Sequence, residues 1–328
     1  MRSWYFILAC LLVLLVDREC QARTFLPGCS GSLSALLNSH EQTYHPVIRV
    51  TRTAKRLTDR DVENSLGVIY AINDFFKGLL PLPPKLNLTL RYTSYKTFYV
   101  HSERRLEIPR RRVLRGQTSS REETYIILAH EYGHAIFSHL LDLNFPELGE
   151  KIQNLKTEID RQTGLEASLI QELRALKADD PRRPDLLNEL KSLNSRSLQL
   201  EWLKLADFGW GFGELAADLI GVVYAGFGEA IAEVIHEPGD ARFRDFTVEH
   251  SVEGFDRNQE HERFAPTRFW LWENVLNRDD FALKGPNKVK VILEALIVEM
   301  KERYQNGEMS LSPAESNRRL IRLIENVL

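Results

Sequence analysis

The sequence predicts an α+β fold, mainly helical, with a small antiparallel sheet and an inserted helical hairpin. Three observations carry that expectation. Between Leu86 and Ile108 short stretches alternate apolar and polar residues, the pattern of half-buried strands. On both sides of them, apolar residues recur at helical spacing. Between Pro146 and Leu205 the chain is polar, with leucines at helical spacing and one Pro-rich turn. At 328 residues and 43% hydrophobic, the chain can bury a large core in one or two domains.

The elements follow in order. Met1-Arg2 is a short basic start, and Trp4 to Val16 is an unbroken apolar run of 13 residues. That is short for a membrane span and suits a signal peptide over residues 1–22, with Cys20-Gln21-Ala22 as the cleavage site. Export to a periplasmic or extracellular space is therefore expected, with an uncleaved anchor or a lipid anchor at Cys29 as alternatives. Cys10 and Cys20 would leave with the signal, so Cys29 would remain alone and form no internal disulfide. Asn87-Leu88-Thr89 is a glycosylation sequon, meaningful in a eukaryotic host.

Residues 23–57 read as a lead-in with one strand, Val47 to Thr51. Thr58 or Asp61 caps a helix reaching about Phe76, which Leu80-Pro81-Leu82-Pro83-Pro84 breaks. Strands are expected at Leu86–Tyr92, Thr97–His101 and Arg105–Ile108. The last is a candidate exposed edge for pairing with an extended peptide. Ser120 and Glu123 form a capping box ahead of an apolar helix. The insertion, 146–205, reads as helices over about Glu147–Lys177 and Asp185–Leu205, a packed arm, a lid or a docking arm for a partner. Ile152, Leu155, Ile159, Leu169, Leu173 and Leu176 would line one helix, and Leu186, Leu190, Leu193 and Leu200 the other. The glycines of Phe208-Gly209-Trp210-Gly211-Phe212-Gly213 suggest a tight turn. Leu215 to Val234 is an apolar helix, but Asp218, Glu229 and Glu233 argue against a membrane span. Helices over Pro266–Leu276, Lys288–Tyr304 and Ser312–Leu328 close the chain.

The chemistry concentrates in His130-Glu131-Tyr132-Gly133-His134. On a helix, positions i and i+4 share a face, so both imidazoles can address one metal ion. Zn²⁺ accepts such nitrogens in a tetrahedral site. Glu131 can serve as general base toward a water whose pKa the metal lowers. The bland alternative is two ordinary helix histidines and a surface glutamate. It conflicts with the apolar run Tyr125-Ile126-Ile127-Leu128-Ala129, since buried His and Glu are costly unless paired or metal-bound. An H-E-x-x-H-x-x-G-x-x-H completion fails, because Phe137 and Leu140 hold the Gly and last His positions, and His139 points away. A Glu from a later helix fits better. Glu214 would be the third ligand, with Asp218 one turn on receiving a hydrogen bond from a ligand His. An exposed amphipathic edge is the alternative for that pair.

H-E-Y-G-H with a downstream E-L-A-A-D-L-I-G resembles the gluzincin zinc peptidases, most closely the branch of the CaaX prenyl proteases and the HtpX-type heat-shock proteases. Third ligands there sit in an E-x-x-A-D motif. The resemblance implies a zincin-like metallopeptidase domain over 58–328, with His130, His134 and Glu214 as Zn²⁺ ligands, one ion per chain, Glu131 as base and Asp218 behind a ligand. From His134 to Glu214 is 80 residues (214 − 134), wider than in compact members, so the hairpin is an insertion. His261-Glu262-Arg263-Phe264-Ala265-Pro266-Thr267-Arg268 resembles the family's late His…Pro…Arg stretch. His261 is thus the candidate oxyanion donor, against a surface-loop His, with His250 as second choice. Arg268 is either a substrate contact or a structural ion-pair partner.

With 46 Asp and Glu against 43 Lys and Arg, a net charge of −3 gives no nucleic-acid surface. Arg104, Arg105, Arg110, Arg111, Arg112 and Arg115 form the strong basic run. It reads as a solvated edge first and as a contact for an acidic substrate or anionic membrane second. The expected function is zinc-dependent endopeptidase, acting on a peptide or protein substrate. A non-proteolytic zinc-binding or scaffold module working through its helical hairpin is the alternative.

Overall fold

The computed structural model describes residues 47–94, 97–114, 117–235 and 238–328. The signal segment, all three cysteines, most of the lead-in and Arg115 lie outside the described residues. Strand β1 (Val47–Arg52) is followed by helix α1 (Asp59–Phe75) and strand β2 (Lys85–Ser94). Thr58 caps α1 in a capping box with Asp61, and α1 buries Val62, Ile69, Ile72 and Phe75. Strand β3 (Phe98–Val100), β4 (Arg105–Leu114) and the short β5 (Gln117–Thr118) complete the sheet. Leu86, Leu88 and Leu90 of β2 and Leu106 and Ile108 of β4 point into the core.

The sheet is mixed rather than antiparallel. Its order is β1-β2-β4-β3, and β5 pairs with β4. β1 and β4 run parallel to β2, while β3 and β5 run antiparallel to β4. The cause is topological: α1 is a crossover helix, and a strand–helix–strand unit returns its second strand parallel to the first. Arg105 to Ile108 is consequently not an edge. These residues are paired with β2 on one side, and Arg105 to Glu107 with β3 on the other. β4 is also longer than its sequence suggests, because Pro109 interrupts the alternation without ending the strand.

Helix α2 (Arg121–Asn144) begins at the Ser120–Glu123 capping box and buries His130, Glu131 and Tyr132 together with its apolar residues. Tyr132 donates from its hydroxyl to Asn73 Oδ1 at 2.6 Å, tying α2 to α1. Helices α3 (Pro146–Ala175), α4 (Arg183–Ser192) and α5 (Ser195–Ala225) form the inserted arm and its continuation. Three expectations are corrected here. The second arm of the hairpin is broken at Leu193–Asn194, and its later part runs without interruption into the helix carrying Glu214. The glycines 209, 211 and 213 lie inside α5 and make no turn, because Phe208, Phe212, Leu215 and Leu219 keep the helical spacing of buried residues across them. Of the leucines expected to line the second arm, Leu186, Leu190 and Leu193 are half-buried, whereas Leu200 is exposed.

Short helices α6 (Ala230–Ile235) and α7 (Pro238–Arg244) precede α8 (Ala265–Leu271), which continues as a π turn over Trp272–Leu276. Helix α9 (Phe281–Gln305) starts earlier than expected, and Pro286 lies inside it, where it leaves one helix hydrogen bond unmade. Helix α10 (Pro313–Val327) closes the chain. One continuous apolar cluster joins sheet and helices. Among the described residues no helix is long and apolar enough to cross a membrane.

The crossing of α2 on α5 positions everything that follows. A Cβ on Gly133 would lie 2.8 Å from Ala217 Cα and 3.1 Å from Ile220 Cβ, so only glycine allows the backbones this close. Gly133→Ala is therefore expected to lose stability. Overpacking costs about 1–3 kcal/mol, which outweighs the gain of about 1 kcal/mol in helix propensity. Urea unfolding that finds the variant as stable as the wild type would contradict this packing.

Candidate metal centre

At the α2–α5 crossing, His130 and His134 stand one turn apart and Glu214 reaches them from α5. His130 Nε2 and His134 Nε2 are 3.2 Å apart. Glu214 Oε1 lies 3.3 Å from His134 Nε2, and its Oε2 lies 3.7 Å from His130 Nε2. Two ligands of a tetrahedral Zn²⁺ at its usual bond lengths sit about 3.4 Å apart. One donor atom from each of the three side chains lies within 4.8 Å of the others, and the group could hold a metal ion. Glu214 Oε2 is buried and makes no hydrogen bond, although the Arg244 guanidinium is 3.0 Å away as an ion pair. Gly213 leaves room for the His134 ring, whose Nδ1 would be 3.7 Å from a Cβ there.

Asp218 lies one turn beyond Glu214, fully buried, with Oδ1 3.0 Å from His130 Nδ1. A carboxylate on the far ring nitrogen fixes the tautomer that leaves Nε2 free as a ligand. Arg268, also fully buried, donates from Nε to Asp218 Oδ2 at 2.9 Å and from Nη1 to the His261 carbonyl at 3.0 Å. It is an internal anchor rather than a substrate contact. His261 stands beside the cluster, its Nε2 3.6 Å from Glu214 Oε2. His250 is turned elsewhere, against the Arg242 carbonyl and stacked on Phe243. His139 lies outside the cluster, half-buried on the far side of α2. Glu131 is buried on α2, near enough for its charge to act on His134, Arg112 and Arg244.

Arg244, the last residue of α7, is the residue that sequence reasoning missed. It donates from Nε to both oxygens of Asp218 at 3.2 Å, makes a close bond through Nη2 to Asp218, and lies 3.3 Å from the His130 ring nitrogens. No local sequence pattern marked it, since it ends a seven-residue helix and only the fold brings it to Asp218.

The electrostatics follow from these contacts. Burial opposes ionisation of Asp218, but Arg244 and Arg268 overcome it and hold the carboxyl well below the usual range. Burial likewise opposes ionisation of Glu214, and Arg244 and His134 hold it down. Burial, then the Arg244 charge, pushes His130 down and keeps it neutral, the form a metal ligand needs. Burial also works against the charged form of His134 and His261, but Glu214 outweighs it and raises both.

Of the basic run, Arg104 and Arg111 are exposed, and three others have partners within the protein. Arg112 is buried and donates to the Val234 carbonyl at 2.9 Å, Arg110 pairs with Asp61 at 2.9 Å, and Arg105 pairs with Glu103 and Glu107. Comparison of the chain with family models, with curated protein sequences and with solved structures returned no significant match.

Proposed function

We propose that this protein is a zinc-dependent endopeptidase. The observation that carries the reading is the convergence of His130, His134 and Glu214 on one spot, with Glu131 on the same helix turn. His130 and His134 with Glu214 would hold Zn²⁺, and Asp218 would fix the His130 ring. Zinc in such a site supplies Lewis-acid polarisation of a carbonyl and a lowered pKa for water. Glu131 takes the proton of the attacking water and delivers it to the leaving amine, the double role of a general base that becomes a general acid. His261, whose charged form Glu214 favours, donates a hydrogen bond to the oxyanion as the tetrahedral intermediate forms. Asp218 carries no proton in this scheme, because two arginines already satisfy it.

The test is hydrolysis of fluorescein-labelled casein before and after removal of metal. Activity should vanish on treatment with a chelator and return with stoichiometric zinc. Hydrolysis that survives complete metal removal would exclude the reading.

A further inference from the structure

The helical arm ends at the candidate metal centre, and the stretch of that face before Glu214 is exposed. In α5, Leu200 is 54% exposed, Leu203 45% and Trp210 45%, although large apolar side chains normally avoid solvent in a cluster. At about 100° per residue, positions 200, 203, 207, 210, 214 and 218 fall within about 80° of one another around the helix. The two leucines and Trp210 therefore share their face with Glu214 and Asp218. The face stays open toward solvent because its neighbours flank it. A Cβ on Gly213 would meet His134 and Phe137 of α2 on one side, and one on Gly211 would meet Arg263 and Phe264 on the other. Helix α3 covers another side of α5, where Leu205 is buried and Leu198 and Trp202 are packed against the core. Trp210 is held in place by an edge-to-face contact with Trp202, ring centroids 6.1 Å apart.

We propose that the strip Leu200–Leu203–Trp210 is a docking site for the substrate polypeptide, which presents apolar side chains to it while its scissile bond lies at the metal centre. This rests on the endopeptidase reading and names the substrate class: chains with an apolar cluster set apart from the bond that is cut. Leu200 to Glu214 is 14 positions (214 − 200), about 21 Å along the helix. An extended peptide covers that distance in about six residues. Asp207 faces outward between Leu203 and Trp210. Arg263, which feels the charge of Asp207, is buried and tied to Asn258. A basic residue in the intervening stretch of substrate complements Asp207.

The test uses a short quenched peptide spanning a bond that the wild type cuts in casein. It is compared with versions extended, on either side, by a spacer of about six residues containing one Arg and ending in Leu, Leu and Phe. The wild type should cleave one extended peptide with kcat/KM about ten-fold higher, through KM. Exchanging the spacer Arg for Glu should lower that gain. In a Leu200→Ser, Leu203→Ser, Trp210→Ser variant the extended and short peptides should be cleaved equally well. Equal cleavage of both by the wild type, or a gain that persists in the variant, overturns the docking strip and leaves the endopeptidase reading standing. Failure to cut casein at all overturns the endopeptidase reading and the strip with it. In parallel, anisotropy should show the extended peptide binding Glu131→Gln more tightly than a version with Ser in place of Leu, Leu and Phe. Equal binding overturns the strip.

Discussion

Glu131→Gln should retain its metal and lose peptide hydrolysis by about 100- to 10,000-fold in kcat, the span that removal of a general base produces. The reason lies in where the residue stands. His130 and His134 flank Glu131 on one helix, and the His130 ring is held by Asp218 rather than by Glu131. Glutamine keeps the volume and cannot accept the proton of water. Zinc content should therefore match the wild type, and kcat should fall with little change in KM. Hydrolysis within about ten-fold of the wild type would remove Glu131 from the mechanism.

Asp218→Ala should cost about 3–5 kcal/mol of folding stability, because it strands buried cations rather than merely deleting a bond. Arg244 and Arg268 both direct their guanidinium groups at this carboxylate, and both are buried. His130 loses the acceptor of its Nδ1–H at the same time, so metal affinity should fall by about 10- to 100-fold. Urea unfolding and a chelator competition measure the two effects separately. A loss under about 1 kcal/mol would show that neither arginine depends on Asp218.

Much of the centre was legible in the sequence because it lies on two helices. A capping box marked the start of the motif helix, and spacing placed Glu214 and Asp218 on one face of another. What could not be read were relations between segments. Arg244 ends a short helix with no periodic pattern, and only the fold brings it to Asp218. The parallel pairing of β1 with β2 was implied by the helix between them, but alternation within short strands reads the same in either direction. Alternate glycines between Phe208 and Gly213 suggested a turn. The buried residues Phe208, Phe212 and Leu215 hold the helix through them, because tertiary packing overrides the low helix propensity of glycine.

Metal content is the most direct measure of the central claim. Gently purified wild type, His134→Ala and Glu214→Ala should be assayed side by side by elemental analysis after zinc loading and gel filtration. The zinc-to-protein ratio should be near one for the wild type, the occupancy of a single three-ligand site, and near zero for both variants. A wild type that takes up no zinc, or variants that retain it in full, would contradict a metal centre at His130, His134 and Glu214.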